Sequence, residues 1–132
     1  MSEHFEVQQQ DRLVLTETAG SVLWFVMDGL WMLSQPVSAK AMVLPTLAVN
    51  LLVFRYTKRS FSQIAVVAAM NSWLLMNICW MFSDLDKDPR PLTAARLLFI
   101  AGMVLLTLAV ARNVTQPRAL KEVLTHFRRL RI

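Results

Sequence analysis

The sequence predicts an all-α integral membrane protein: four transmembrane helices, arranged as two tandem helical hairpins of the same orientation, followed by a C-terminal amphipathic helix in the membrane interface. Three observations predict it. Of 132 residues, 55% are hydrophobic, more than so small a water-soluble domain can bury. Charged residues, 17% of the chain, fall almost wholly outside four apolar runs of spanning length. A tryptophan-rich pattern in the first run also recurs in the third.

The first run covers about Leu13 to Leu33 and contains only Glu17 and Asp28 as charges. Val37-Ser38-Ala39 has the small residues of a signal-peptide cleavage site. The preceding segment, however, holds Glu3, Glu6 and Asp11 against a single cation, Arg12, and the apolar run is too long for a signal core. A retained span is therefore expected. The second run, about Ala41 to Phe54 and extendable back to Val37, is short for a bilayer core of about 30 Å and is expected to need tilt or a neighbour. Pro45 predicts a kink there, or a place in the first turns of a helix starting near Ala41. The third run covers Ile64 to Phe82 and the fourth Thr93 to Ala111, with Arg96 near its start. The resulting segments are 1–12 (N-terminal), 13–59 (first hairpin), 60–116 (second hairpin) and 117–132 (interfacial helix).

Cation placement predicts orientation. Arg12, the cluster Arg55, Lys58 and Arg59, and the tail beginning at Arg112 fall on one side. Only Lys40, Lys87, Arg90 and Arg96 fall on the other. Both termini are therefore expected in the cytoplasm, with an acidic loop, Asp84 to Pro91, facing outward.

The repeat is specific. Trp24-x-x-Met27-Asp28-x-x-Trp31-Met32-x-Ser34 returns as Trp73-x-x-Met76-Asn77-x-x-Trp80-Met81-x-Ser83, so all four tryptophans fall in one register. The second helix of each unit matches more weakly, Arg55 aligning with Arg112. The second offset is longer by the length of the acidic loop, which suggests a loop insertion in the second copy. Two spans per copy give both copies the same orientation, related by a pseudo-twofold axis along the membrane normal.

Gly29-Leu30-Trp31 near the end of a first helix, a short connection holding Lys40, and a second helix closing in Arg55, Lys58 and Arg59 make a further pattern. In this respect the stretch from Ser21 to Arg112 resembles the YiaA/YiaB family of small bacterial inner-membrane proteins, which carry tandem two-helix domains. The second copy departs from the pattern with Ile78-Cys79-Trp80. The resemblance implies a bacterial inner (plasma) membrane location and no particular activity.

The repeated residues are the candidate site. On a helix Trp24, Met27, Asp28 and Trp31 share one face, as do Trp73, Met76, Asn77 and Trp80. The two stripes can meet at the pseudo-twofold axis, face another subunit, or face lipid. Asp28 is an ionisable group inside a span, a costly placement that marks either an ion or proton site or an interhelical bond, here to Asn77 or Ser72. Trp31 and Trp80 suit an aromatic belt, whereas Trp24 and Trp73 lie deeper, where they pack or line a site for an amphipathic ligand. Asn50 and Asn71 are expected to bond between helices.

In the tail, Pro117 suits a helix start, and Leu120, Val123, Leu124, Phe127 and Leu130 form an apolar stripe. Lys121, Arg128, Arg129 and Arg131 would then meet anionic headgroups of the bilayer rather than nucleic acid. One cysteine, Cys79, and two histidines outside the spans give no metal site, and no cofactor is expected. No nucleophile–base set or phosphate-binding loop is present, so enzymatic function is not expected. Two functions remain. One is a non-enzymatic subunit or assembly partner of a membrane complex. The other is a homo-oligomeric transporter or channel using Asp28.

Overall fold

A computed structural model describes residues 2–114. The basic interfacial helix expected at 117–132, with Lys121, Arg128, Arg129 and Arg131, lies outside the described residues. The described chain is helical almost throughout: α1 (Ser2–Met32), α2 (Pro36–Ala41), α3 (Val43–Tyr56), α4 (Phe61–Asp86) and α5 (Arg90–Val114). Four helical stretches are long and apolar enough to cross a membrane, with α2 and α3 together making the second.

The limits of these helices follow from local chemistry. The 31 residues of α1 rise about 46 Å, well beyond an apolar core of about 30 Å, and its polar N-terminal third is continuous with the rest of the helix. The second span is longer than its apolar run, Pro36–Tyr56 instead of Ala41 to Phe54. It breaks at Met42 because Pro45 has no N–H for the Ala41 carbonyl and its ring crowds that carbonyl. Pro36 opens α2 in the position where a missing N–H costs nothing. At the start of α4, Ser60 caps the helix by accepting the Gln63 N–H.

The expected acidic loop is mostly helix. Asp84 and Asp86 form the last turn of α4, and only residues 87–89 connect to α5. The turn after α1 and the turn after α4 are built alike. Each has a non-glycine residue in the left-handed region, Ser34 (φ 55°) and Lys87 (φ 53°). Each is closed by the next residue's N–H bonding a carbonyl five residues back, Gln35 to Leu30 at 2.9 Å and Asp88 to Ser83 at 3.1 Å. A proline follows each, Pro36 and Pro89. This is the Schellman way of satisfying the last carbonyls of a helix.

α1 packs along α2 and α3, and α4 packs most extensively along α5. The α4–α5 seam consists of small residues: Ala65, Ala69 and Ser72 on α4, with Ala95, Gly102 and Ala109 seven residues apart on α5, all buried. Close approach without a hydrophobic driving force is what small residues allow in lipid. Ser72 Oγ donates across the seam to Leu98 O at 2.8 Å. On its opposite side α4 presents Leu74, Ile78 and Met81, which join Met27 of α1 and Ala39 of α2 in the central core. Met27, Ala39 and Met81 are fully buried. That core lies toward the end carrying residues 33–35 and 87–89, called here the paired-turn end. The opposite end carries Arg12, Arg55, Lys58, Arg59 and Arg112 and is called the basic end.

Candidate functional site

The two tryptophan motifs lie on α1 and α4, and their rings meet only at the paired-turn end. There the Trp31 and Trp80 rings lie edge to face, with centroids 6.1 Å apart. Trp31 Nε1 donates to Asp84 Oδ2 at 3.0 Å. Lys40 of α2 pairs with Asp86 and sits 5.1 Å over the Phe82 ring. These contacts tie α1 and α2 to the last turn of α4. An aromatic pair of this kind contributes about 0.5–1.5 kcal/mol beyond its area. Lys40 and Lys87 also offset the two carboxylates at the negative C-terminal end of α4.

Away from this clamp α1 and α4 diverge, and toward the basic end an open groove of about 1440 Å³ separates them. Gln10, Leu13 and Glu17 line it from α1, Ser62, Gln63, Val66 and Val67 from α4, and residues 55–59 line its wide mouth at the basic end. Gln9 Nε2 donates to Tyr56 O at 3.3 Å, holding α1 to the end of α3. Helical spacing carries both walls onward to the tryptophan motifs. On α1 the face continues from Leu13 and Glu17 to Trp24, Asp28 and Trp31. On α4 it continues from Val66 through Met70, Trp73, Asn77 and Trp80 to Asp84, at alternating spacings of three and four.

The eight motif residues do not share one environment. Met27 is fully buried and its counterpart Met76 is buried too. Trp24 and Trp31 pack against the central core. Their counterparts Trp73 and Trp80 remain 45% and 52% exposed. The tryptophans of the first copy are therefore the covered pair and those of the second the open one, whereas at the next position the order reverses, Met32 being strongly exposed and Met81 fully buried. Asp28 is half-buried. Its Oδ1, like Trp24 Nε1 one turn away and Thr46 Oγ1 on α3, is buried without a hydrogen-bond partner. The bond expected from Asn77 or Ser72 does not reach Asp28 Oδ1, and Ser72 gives its proton to the Leu98 carbonyl instead. Asn50 and Asn71 likewise do not donate between helices. Their amides return to Thr46 O and Val67 O, the carbonyls one turn back on their own helices.

The glycines report where other groups approach. A Cβ on Gly20 would lie 3.2 Å from the Asn50 amide, and one on Gly102 would lie 3.5 Å from Ser72 Cβ. Gly29, beside Asp28, has nothing within 4 Å. It is flanked by Phe25 and Met32, both strongly exposed.

Three parts of the clamp, Lys40, Asp84 and Asp86, were read from the sequence as loop residues and were not among its candidate site residues. The available signal was that Lys40 and the acids fall on one predicted side of the membrane. Among the described residues no group of three His, Cys, Asp or Glu side chains is placed to hold a metal ion. The arrangement offers an amphipathic groove, with Leu13, Val66 and Val67 on its walls, Glu17 on the α1 side, and Arg12, Arg55, Lys58 and Arg59 together with Glu3 and Glu6 toward its wide mouth.

No protein-family model matches this chain, and neither a curated protein nor a solved structure is similar to it at a significant level.

Proposed function

We propose that this chain is a non-enzymatic subunit or assembly partner of a membrane complex, engaging its partner in the bilayer through the open face of α4 and the adjoining outer part of α1. One observation carries the reading. Of the two matching tryptophan pairs, Trp24 and Trp31 pack against the central core, and Trp73 and Trp80 are left about half exposed. Gly29 adds a notch with no neighbour in the chain. A glycine inside a helix costs about 1 kcal/mol relative to alanine, a cost usually offset by close approach of another group.

In this reading the chain is a duplicated hairpin. The pairing of α1 with α2–α3 and of α4 with α5, and the matched turns at Ser34 and Lys87, support it. The copies then differ by helix, not by loop. Within the motif Ser34 aligns with Ser83, but the left-handed residue of the second turn is Lys87, one helical turn later. The stretches that follow differ by the same amount, 21 residues from Ser34 to Arg55 and 25 from Lys87 to the aligned Arg112. An added turn keeps every later residue close to its original face. The turn added to α4 supplies Asp84 and Asp86, which grip Trp31 and Lys40 of the first copy. The basic end faces the cytoplasm by the inside rule, and the bacterial inner membrane is the matching compartment.

The test is photocrosslinking in native membranes from a probe at position 73, compared with probes at Ile100 and Met103 on the exposed side of α5. A discrete protein adduct from position 73, lost in Gly29→Leu and absent from positions 100 and 103, is expected. Lipid adducts alone from all three positions would defeat the proposal. The second reading, a homo-oligomeric transporter, draws on the unanswered Asp28 Oδ1. It requires a closed ring of this chain alone and a flux abolished by Asp28→Asn.

A further inference from the structure

We propose that the wide mouth of the α1–α4 groove is a binding site for the headgroup of one anionic phospholipid, whose acyl chains lie along the groove walls. The proposal is independent of which protein the open tryptophan face meets.

Four cations line this mouth, and they come from different parts of the chain: Arg12 from α1, Arg55 from the end of α3, and Lys58 and Arg59 from the α3–α4 connection. The ion pairs among the described residues are Lys40–Asp86, Lys87–Asp84 and Arg90–Asp88, all at the other end. The four cations at the mouth therefore have no acidic partner among the described residues. By contrast Arg112, at the same end, is engaged over the Phe61 ring at 4.8 Å.

Two further features favour an anion here. The N-terminus of α4 opens at the mouth, where Ser62 and Gln63 line the groove, and no acidic residue occupies its first turn. A 26-residue helix presents about half a positive charge at that end. Carboxylates do line the groove, namely Glu3, Glu6 and Glu17, but all three belong to α1, on the opposite wall from α4. Arg55, Lys58 and Arg59 stand apart from that helix, at the end of α3 and in the α3–α4 connection, and none of the three glutamates forms an ion pair with them among the described residues.

The shape suits a lipid more than a free anion. Inward of the cations the α4 wall is apolar, Val66 and Val67, and faces Leu13 on α1, with Glu17 one turn further along that helix. A headgroup phosphate at Arg55, Lys58 and Arg59 thus places its glycerol and chains where the groove is greasy. Basic pockets between helices on the cytoplasmic side are the general setting for such sites. A basic loop produced by orientation alone would attract the membrane surface diffusely, without a defined stoichiometry or a contribution from Arg12.

The full chain, delipidated in mild detergent, is titrated with phosphatidylglycerol or phosphatidylcholine and read by native mass spectrometry. One phosphatidylglycerol per chain is expected, with phosphatidylcholine far weaker and inorganic phosphate unable to compete at matched concentration. Each cation near a headgroup is worth about a fivefold change in affinity, so Arg55→Gln/Lys58→Gln/Arg59→Gln together weaken binding about a hundredfold. Arg12→Gln alone costs about fivefold, and Lys87→Gln, at the far end, leaves binding unchanged. Circular dichroism confirms that the variants fold, and Arg12→Gln carries the test if the triple variant does not. Equal retention of both lipids, unaltered binding in Arg12→Gln, or full competition by phosphate would overturn the proposal. So would loss of the bound lipid on removing residues 115–132, since the tail would then be the binding element.

Discussion

The three glycines of the chain make a graded test of the packing. Each sits inside a helix, so replacement by alanine gains up to about 1 kcal/mol from backbone entropy and helix propensity, less whatever the new methyl group meets. At Gly29 it meets nothing within 4 Å, and the full gain is expected. At Gly102 the nearest atoms are Ser72 Cβ at 3.5 Å and Ala69 O at 3.6 Å, ordinary contacts, so most of the gain survives. At Gly20 the methyl group falls 3.2 Å from the Asn50 amide, which must move. Asn50 is held by its 2.8 Å bond to Thr46 O, and losing that bond costs about 0.5–1.5 kcal/mol, which cancels the gain or reverses it. A larger side chain separates the sites further. Gly102→Leu overpacks the α4–α5 seam and costs about 1–3 kcal/mol, whereas Gly29→Leu has open space. Reversible unfolding in mixed micelles, followed by tryptophan fluorescence and circular dichroism, gives the order. The helix pairing is refuted if Gly20→Ala gains as much as Gly29→Ala, or if Gly102→Leu is as well tolerated as Gly29→Leu.

The remaining predictions use the same assay. Met27→Ala empties the fully buried centre of the core between α1, α2 and α4 and should cost about 2–5 kcal/mol, against under 1.5 kcal/mol for the volume-conserving Met27→Leu. Lys87→Gly should stabilise by about 1 kcal/mol, because glycine adopts φ 53° without strain and the exposed 3.4 Å pair with Asp84 contributes little. Asp88 accepts from the Arg90 guanidinium and from the Arg90 backbone N–H, and these bonds hold its carboxyl below the ordinary value of 3.8. A depressed carboxyl stabilises the fold above its unfolded value and loses that contribution as pH falls through the folded one. The first turn of α5 should therefore keep its amide-exchange protection down to about pH 4 and lose it below, while Asp88→Asn lacks that acid step.

The four spans were legible because burial in lipid imposes length and apolarity directly on the sequence. The repeat was legible because tryptophans are rare enough for four in register to be informative. The ends of the helices were not. Asp84 and Asp86 read as loop by their charge, but their partners are Trp31 and Lys40, some fifty residues away, and no local pattern announces that pairing. Ser34 and Lys87 gave no warning of a left-handed turn, since glycine is the usual mark of one. The α4–α5 seam was present as Ala95, Gly102 and Ala109 at intervals of seven, but hydrophobic patterning gives small residues no weight. The site divides in the same way. Spacing put each tryptophan motif on one face, yet spacing cannot say which pair of tryptophans the chain covers. That depends on α4 presenting Leu74, Ile78 and Met81 to the core and turning Trp73 and Trp80 aside.

The central claim is that this open face of α4 is the surface through which the chain meets a partner protein. The most direct test is photocrosslinking from position 73 in native membranes, with and without Gly29→Leu, followed by the mass of the adduct. The account predicts one discrete adduct with a second protein chain, lost in Gly29→Leu although that variant folds normally. Labelling of lipid alone, unchanged by Gly29→Leu, would contradict it.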